Sequence, residues 1–322
     1  MVGTRHLGPS HHDLAGQEAA GLHVPVLLQP VLAFLNVRPD STYLDGTVGG
    51  GGHAEAILSQ SAPSGQLLGL DRDQEALAAA RQRLAPFGQR ALLRHGSYAD
   101  LPELAQELIP VDGVLLDLGL SSRQLADPQR GFSFSQEGPL DMRFDPAEDS
   151  PTAADLVNTL SVKELTDILY RFGEERQARR IAEAIFRARP LRSTTELAQL
   201  VAGVARRTGH IHPATRTFQA LRIAVNQELE TLSAALPRII ELLAPGGRLV
   251  VISFHSLEDR IVKRFIRTES LDCICPPEIP VCTCNHRARL AVLTAKPVRP
   301  NTAEIEANPR SRSARLRAGK KI

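Results

Sequence analysis

DGTVGGGGH, residues 45–53, decides the fold: it follows a short apolar run at 42–44 and precedes a helical pattern containing Ala54, Ile57 and Leu58. A strand, a glycine turn and a helix in this order are typical of a nucleotide-type cofactor site, because glycines let the backbone approach a ligand closely. Residues 66–71, QLLGLD, predict the next parallel strand, whose terminal Asp71 can accept both hydroxyl groups of a ribose. For a lone glycine cluster an ordinary tight turn is the alternative, and for Asp71 a helix-capping role.

The acid before the glycines separates two kinds of cofactor. Gly49, Gly51 and Ala54 also fit the spacing of the dinucleotide fingerprint, which would indicate a nicotinamide-dependent oxidoreductase. Asp45, however, would repel a pyrophosphate, whereas S-adenosylmethionine carries a sulfonium and an ammonium group and has no phosphate. The sequence therefore predicts an S-adenosylmethionine site, with the nicotinamide enzyme as the alternative.

Composition indicates an ordinary globular protein. The chain has 322 residues, of which 43% are hydrophobic and 23% charged, and its net charge of +2 does not by itself indicate nucleic-acid binding. Residues 1–22 lack the apolar region of a signal peptide and are interpreted as a disordered extension. No apolar run is long enough to span a membrane, so we expect a cytoplasmic protein with no membrane partner and with reduced or metal-bound cysteines.

The order of the elements predicts an α/β fold with a doubly wound, mostly parallel sheet, because strand and helix patterns alternate from residue 42 to residue 117. Asp45, Asp71, Tyr98 and Asp117 follow the predicted strands and should share one edge of the sheet. Residues 128–214 then carry helical patterns without a strand signal and are interpreted as an inserted, mainly helical domain. Within it 156–170 and 177–186 are the clearest helices, and one long helix over 217–243 and a fifth strand over 248–253 follow.

Several longer motifs resemble one known family, and they extend over nearly all of the chain after residue 22. They read HVPVL (23–27), DRD (71–73), LLDLGLSS (115–122), RGFSF (130–134), GPLDMR (138–143), YRFGEER (170–176), HPATRTFQ (212–219) and ISFHSLEDR (252–260). Together with residues 45–53 they resemble the bacterial small-subunit ribosomal RNA (cytosine-N4) methyltransferases, the RsmH or MraW family.

This resemblance implies a class I, Rossmann-like methyltransferase that methylates N4 of a cytidine in 16S ribosomal RNA near the decoding centre. Its partner would be that RNA or the small ribosomal subunit; a non-catalytic RNA-binding module is a further alternative. The methyltransferase domain would comprise 23–127 and 215–322, and 128–214 would recognise the substrate. The resemblance also implies S-adenosylmethionine contacts at Gly51, Gly52, His53, Asp71, Tyr98, Asp117 and Gln124.

The end of the fourth strand is the candidate site of the chemistry. Cytosine N4 is a poor nucleophile because its lone pair is delocalised into the ring, so a hydrogen-bond acceptor that receives the amine proton would activate it. Asp117, Ser121 or a neighbouring backbone carbonyl could be that acceptor; the alternative is that Asp117 only holds the cofactor. His255, after the fifth strand, could orient the base or be a core histidine.

Basic residues suggest a phosphate-contacting surface, with a solvated helix face as the alternative. Residues from 308 onward are low-complexity and basic and would add to that surface. In the inserted domain and the helix after it, the arginines of this surface would be Arg176, Arg179, Arg180, Arg187, Arg189, Arg192, Arg216 and Arg222.

Two Cys-x-Cys pairs stand close together near the end of the chain. Cys273, Cys275, Cys282 and Cys284 could bind a tetrahedral Zn²⁺ ion of structural type, although Cys-x2-Cys spacing is commoner. The alternative is four reduced thiols in a surface insertion.

Overall fold

A computed structural model describes residues 25–205, 212–279 and 281–322. The predicted extension 1–22 lies outside the described residues. The strands are β1 (Thr42–Asp45), β2 (Gln66–Asp71), β3 (Ala91–His95), β4 (Val111–Asp117), β5 (Leu243–Ser253), β6 (Leu290–Val292) and β7 (Arg315–Lys321).

The helices are named in the same chain order. They are α1 (Leu28–Leu35), α2 (Gly52–Gln60), α3 (Gln74–Leu84), α4 (Leu101–Leu104), α5 (Ser122–Ala126), α6 (Ala153–Thr159), α7 (Val162–Gly173), α8 (Ala178–Ala188), α9 (Thr194–Val204), α10 (Ala214–Asn226), α11 (Glu228–Ile239), α12 (Ser256–Glu269) and α13 (Thr302–Ala307).

The strands form one sheet in the order β3-β2-β1-β4-β5-β7-β6. Strands β1 to β5 pair in parallel, and β7 runs antiparallel to both β5 and β6. This confirms the predicted α/β fold with a doubly wound, mostly parallel sheet. Because the strand order reverses between β1 and β4, a crevice opens at their carboxyl ends, where ligands bind in folds of this type.

The sheet is covered on both faces, which explains why its central strands are continuous apolar runs. Val114 and Leu116 of β4 belong to a core cluster that includes α11 and α12, whereas the intervening Leu115 packs in the cluster that contains α1, α2 and α3. All three side chains are fully buried. Strand β4 is thereby fixed in register, and Asp117 stands at its carboxyl end.

A third core cluster joins the helices that follow β4. The predicted helix over 156–170 is wrong in its extent, because helix α6 ends before Leu160. A new helix, α7, begins after Ser161, whose side chain caps it by accepting a hydrogen bond from the Glu164 N–H. The predicted long helix over 217–243 is also wrong. It is divided into α10 and α11 at Gln227, whose φ of 50° is left-handed. Helix α10 packs in the helical cluster, whereas α11 packs against the sheet.

The basic end of the chain is a strand of the sheet. Leu316 and Ala318 of β7 are buried in the core, and Arg317 between them is buried against α12. The Arg317 Nε atom donates to Asp259 Oδ1 at 2.6 Å, and Arg315 contacts the other oxygen at 3.2 Å. The interpretation of this segment as a low-complexity tail available to RNA is therefore wrong for Arg315 and Arg317.

Candidate active site

A cavity of about 420 Å³ lies at the carboxyl edge of β1, β2 and β4. This size is within the range of small-molecule sites. Its lining includes seven of the residues proposed from the sequence: Gly52, His53, Asp71, Tyr98, Asp117, Ser121 and Gln124.

The glycine loop leaves open space beside the backbone. A Cβ atom placed on Gly50 would meet nothing within 4 Å, and one on Gly49 would come no closer than 3.9 Å, to the Thr47 carbonyl oxygen. The φ of Gly49 is 52°, in the left-handed region that glycine adopts readily. Both residues line the cavity, so a ligand can lie directly against this backbone.

Gly51 has a different environment from its neighbours. It does not line the cavity, and a Cβ atom there would come within 3.3 Å of Leu84 and 3.4 Å of Ala80, both on α3. Its φ of 84° is also left-handed. The expected backbone contact of Gly51 with a cofactor therefore has no support in this geometry, and a larger residue would disturb the packing of α3.

Asp71 connects the glycine loop to the start of α3. Its two carboxylate oxygens accept hydrogen bonds from the N–H groups of Gly49, at 2.8 Å, and of Asp73, at 2.9 Å. The cap of α3 is Asp73, whose Oδ1 accepts hydrogen bonds from the N–H groups of Glu75 and Ala76. Burial raises the pKa of Asp71. Because a carboxylate has about four acceptor sites, Asp71 retains capacity for the two hydroxyl groups of a ribose.

Asp117 projects its carboxylate into the cavity from the end of β4. The side chain is 21% exposed, yet its Oδ1 is buried and accepts no hydrogen bond from the residues described here. The pKa of Asp117 lies well above its ordinary value because of burial, reinforced by the nearby acids Asp45 and Glu258. A buried acceptor atom without a donor is suited to a ligand that brings a donor or a positive charge.

His53 stands beside Asp117 at the start of α2. Its Nδ1 atom is 3.7 Å from Asp117 Oδ2, and its Nε2 atom is 3.0 Å from the carbonyl oxygen of Val26. The side chain is buried and forms part of the cavity wall. His53 therefore links the segment before α1 to the acid at the end of β4.

Ser121 and Gln124 stabilise the first turn of α5 at the cavity wall. The Ser121 Oγ atom accepts from the Gln124 N–H at 3.1 Å, and Gln124 Oε1 accepts from the Ser121 N–H at 3.0 Å. Gln124 Nε2 also donates to Asp73 Oδ2, which is paired with Arg130 at 2.6 Å. These contacts give both side chains a structural role in fixing the loop after β4.

Tyr98 is held close to the end of β1. A Cβ atom on Gly46 would lie 2.6 Å from Tyr98 Cβ, so glycine is required at 46 for this approach. Burial raises the pKa of Tyr98, and the acids Glu228 and Glu258 raise it further. The neutral phenol ring therefore forms one wall of the cavity.

The cavity wall contains a buried charged group that the sequence did not indicate. Arg222, first interpreted as part of a phosphate-contacting surface, binds Glu228 through two hydrogen bonds of 2.8 and 2.9 Å. Burial acts to raise the pKa of Glu258, but His255 and Arg222 together hold it below the ordinary value. His255 caps α12 and does not line the cavity. In the sequence, only the acids Glu258 and Asp259 of the motif LEDR, 257–260, indicated that charged side chains could lie near this site.

The remaining arginines divide into structural and exposed groups. Arg189 donates to the carbonyl oxygens of Val157, at 2.7 Å, and Leu160, which ties α8 to the end of α6. Arg216 contacts the Glu174 carbonyl oxygen at 3.1 Å. Arg187 and Arg192 are exposed. Arg310, which belongs to the predicted basic segment from residue 308, is exposed at the rim of the cavity and lies 3.4 Å from the carbonyl oxygen of Ser122.

The protonation of Asp45 gives a testable pH dependence. Burial is the main cause that raises its pKa from 3.8 to about 7. The folded protein then retains a proton that the unfolded chain releases, so stability falls as the pH rises from about 4 to about 7, by up to about 4 kcal/mol.

Asp45→Asn keeps an acceptor for the Thr47 N–H but removes the charge. We expect the variant's melting temperature to rise relative to the original protein between about pH 4 and about pH 7; a difference independent of pH would contradict this.

Comparison with known proteins shows extended similarity. The family model described as the MraW methylase family matches residues 20–322. The ribosomal RNA small subunit methyltransferase H of Thermomicrobium roseum is 58% identical over 306 residues, covering 93% of this chain and 94% of that relative. The protein of the same name from Syntrophotalea carbinolica is 54% identical over 309 residues, covering 93% and 98%. Among the residues with described structure, no helix is long and apolar enough to cross a membrane.

Proposed function

We infer, because this chain belongs to the MraW methylase family, that it transfers a methyl group from S-adenosylmethionine to N4 of a cytidine in small-subunit ribosomal RNA. The observation that carries the proposal is the cavity that brings Asp71, Tyr98 and Asp117 to one edge of the sheet. The nicotinamide enzyme and the non-catalytic RNA-binding module have no support in the family match.

The cavity fits the cofactor in three respects. The open space beside Gly49 and Gly50 accepts a ligand in close contact with the backbone, and Asp71 offers acceptor sites to a ribose. The carboxyl groups of Asp45 and Asp117 have raised pKa values; a bound cation would favour their charged forms and a pyrophosphate would oppose them, so the pair favours a cation over a pyrophosphate. Bound S-adenosylmethionine supplies a methyl group that is activated by its positively charged sulfur.

Asp117 is the proposed acceptor for the amine of the target base. Its side chain is 21% exposed on the cavity wall, so the carboxylate can accept a hydrogen bond from the cytosine amine. Such a bond localises the amine lone pair and gives the proton a destination. Ser121 is less suited to this role, because a hydroxyl group is a much weaker proton acceptor than a carboxylate and its Oγ atom already accepts the Gln124 N–H. Positioning of the two reactants by the cavity would contribute much of the remaining rate enhancement.

Calorimetric titration separates the cofactor hypotheses. The purified protein is titrated with S-adenosylmethionine and, in parallel, with NAD. We expect saturable binding of S-adenosylmethionine and none of NAD. Binding of NAD alone would reject the proposed chemistry.

The exposed arginines of the helical region should act through phosphates. Each phosphate contact adds roughly 0.7–0.9 to the slope of log affinity against log salt, so Arg187→Gln/Arg192→Gln should weaken RNA binding and flatten that slope by roughly 1.5. The matched control is Arg38→Gln, which removes an exposed arginine paired with Asp112 at the opposite edge of the sheet. Filter binding to small-subunit RNA at several salt concentrations measures the RNA affinity and its salt slope for each variant. An unchanged slope in the double variant would assign these two arginines to helix solubility instead.

A further inference from the structure

Residues 270–289, here named the cysteine segment, connect α12 to β6 without a helix or strand among those described. Ile274, Ile279 and Val281 are exposed, so apolar burial does not hold this segment. At its end, Arg289 Nε donates to Glu269 Oε2 at 2.6 Å, which fixes only the base of the segment. A connection of this length without secondary structure is uncommon in a compact fold unless something else orders it.

The four cysteines converge within this segment. Their Sγ atoms all lie within 4.8 Å of one another. The sulfur of Cys284 is 3.8 Å from that of Cys273 and 3.6 Å from that of Cys282. Four thiolates at about 2.3 Å from one tetrahedral zinc ion are separated from each other by about 3.8 Å. Two of the sulfur–sulfur distances therefore match a zinc tetrathiolate, and the others exceed its spacing by at most about 1 Å.

Backbone amides surround the sulfurs with hydrogen-bond donors. The N–H of Ile274 donates to Cys284, that of Cys275 to Cys273, and that of Thr283 to Cys275, each at 3.4 Å. Donors of this kind stabilise the negative charge of thiolates, and zinc binding requires thiolates rather than thiols. Spacing and hydrogen bonding thus point independently to a metal ligand set.

We propose that Cys273, Cys275, Cys282 and Cys284 bind one Zn²⁺ ion and that this ion orders the cysteine segment. Four sulfur ligands complete the tetrahedron and leave no position for water or substrate, so the ion is structural. Its binding supplies the ordering free energy that the exposed apolar residues do not supply. The site is separate from the cavity, because none of the four cysteines lines it.

Metal analysis of the full-length protein tests the proposal. Protein purified under reducing conditions without a chelator should contain one zinc ion per chain, as measured by elemental mass spectrometry. Cys275→Ser/Cys282→Ser, which removes one ligand from each pair, should contain none. Glu278→Gln, an exposed change within the same segment, is the matched control and should retain the zinc. Replacement of zinc by Co²⁺ should produce the visible absorption bands of a tetrahedral cobalt thiolate.

Hydrogen exchange provides the second measurement. We expect amides of the cysteine segment to exchange faster in the double cysteine variant, while those of β4 and β5 remain protected and S-adenosylmethionine still binds. Iron instead of zinc in the purified protein, zinc retained by the double variant, or absence of both zinc and the cobalt bands would each overturn the proposal.

Discussion

Replacing Gly50 with leucine is expected to abolish S-adenosylmethionine binding while the protein remains folded. A Cβ atom at this residue meets nothing within 4 Å, and the residue lines the cavity, so the new side chain occupies space that the ligand needs. A loss of at least about 100-fold in affinity corresponds to about 2.7 kcal/mol. Calorimetric titration measures the affinity, and the melting temperature reports the fold.

The matched control for this substitution is Gly203→Leu. A Cβ atom on Gly203 also meets nothing within 4 Å, but the residue lies on α9 and does not line the cavity. The Gly203→Leu variant should bind S-adenosylmethionine with the affinity of the original protein. Equal affinities in the two leucine variants would show that the glycine loop does not contact the cofactor.

Asp117→Asn is expected to lower the rate of methyl transfer by about 100-fold or more, the contribution of a positioned proton acceptor. The amide keeps the shape of the side chain but cannot receive the amine proton. Because burial raises the pKa of Asp117, the original enzyme should become faster as the pH rises and the carboxylate forms. The variant should lose this dependence. Single-turnover rates with saturating S-adenosylmethionine, measured over a range of pH, test both expectations.

Ser121→Ala distinguishes the two candidate acceptors. Its main expected effect is the loss of the α5 cap, which costs about 1 kcal/mol of stability, with a smaller change in rate. A larger rate loss in Ser121→Ala than in Asp117→Asn would assign the acceptor to the serine.

The sheet and the edge that carries the site were predictable from the sequence. Strand β2 has its predicted limits, 66–71, and β4 ends at residue 117 as predicted, because an apolar run directly precedes the terminal aspartate of each strand. Parallel strands place such acids at one edge, and Asp71 and Asp117 both line the cavity there.

The division between α10 and α11 could not be predicted, because no glycine or proline marks Gln227. The break comes from packing: Leu221 belongs to the helical cluster, whereas Leu232 and Leu236 belong to the sheet cluster. The alternation of Arg315, Leu316, Arg317 and Ala318 is a strand pattern, but the basic composition obscured it.

Tertiary structure also decides which of the adjacent glycines faces the space for a ligand. Gly50 and Gly51 have the same permissive backbone, yet the missing Cβ of one faces open space and that of the other faces α3. Likewise, the buried pairing of Arg222 with Glu228 depends on the turn at Gln227, which brings α10 and α11 together.

The most direct test of the proposed function is mass spectrometry of small-subunit ribosomal RNA from a strain that lacks this gene, compared with its parent. We predict that an N4-methylated cytidine present in the parent is absent in the deletion strain. The original gene should restore the modification, whereas an Asp117→Asn copy should not restore it fully. An identical set of N4-methylated cytidines in the parent and deletion strains would contradict the proposed activity.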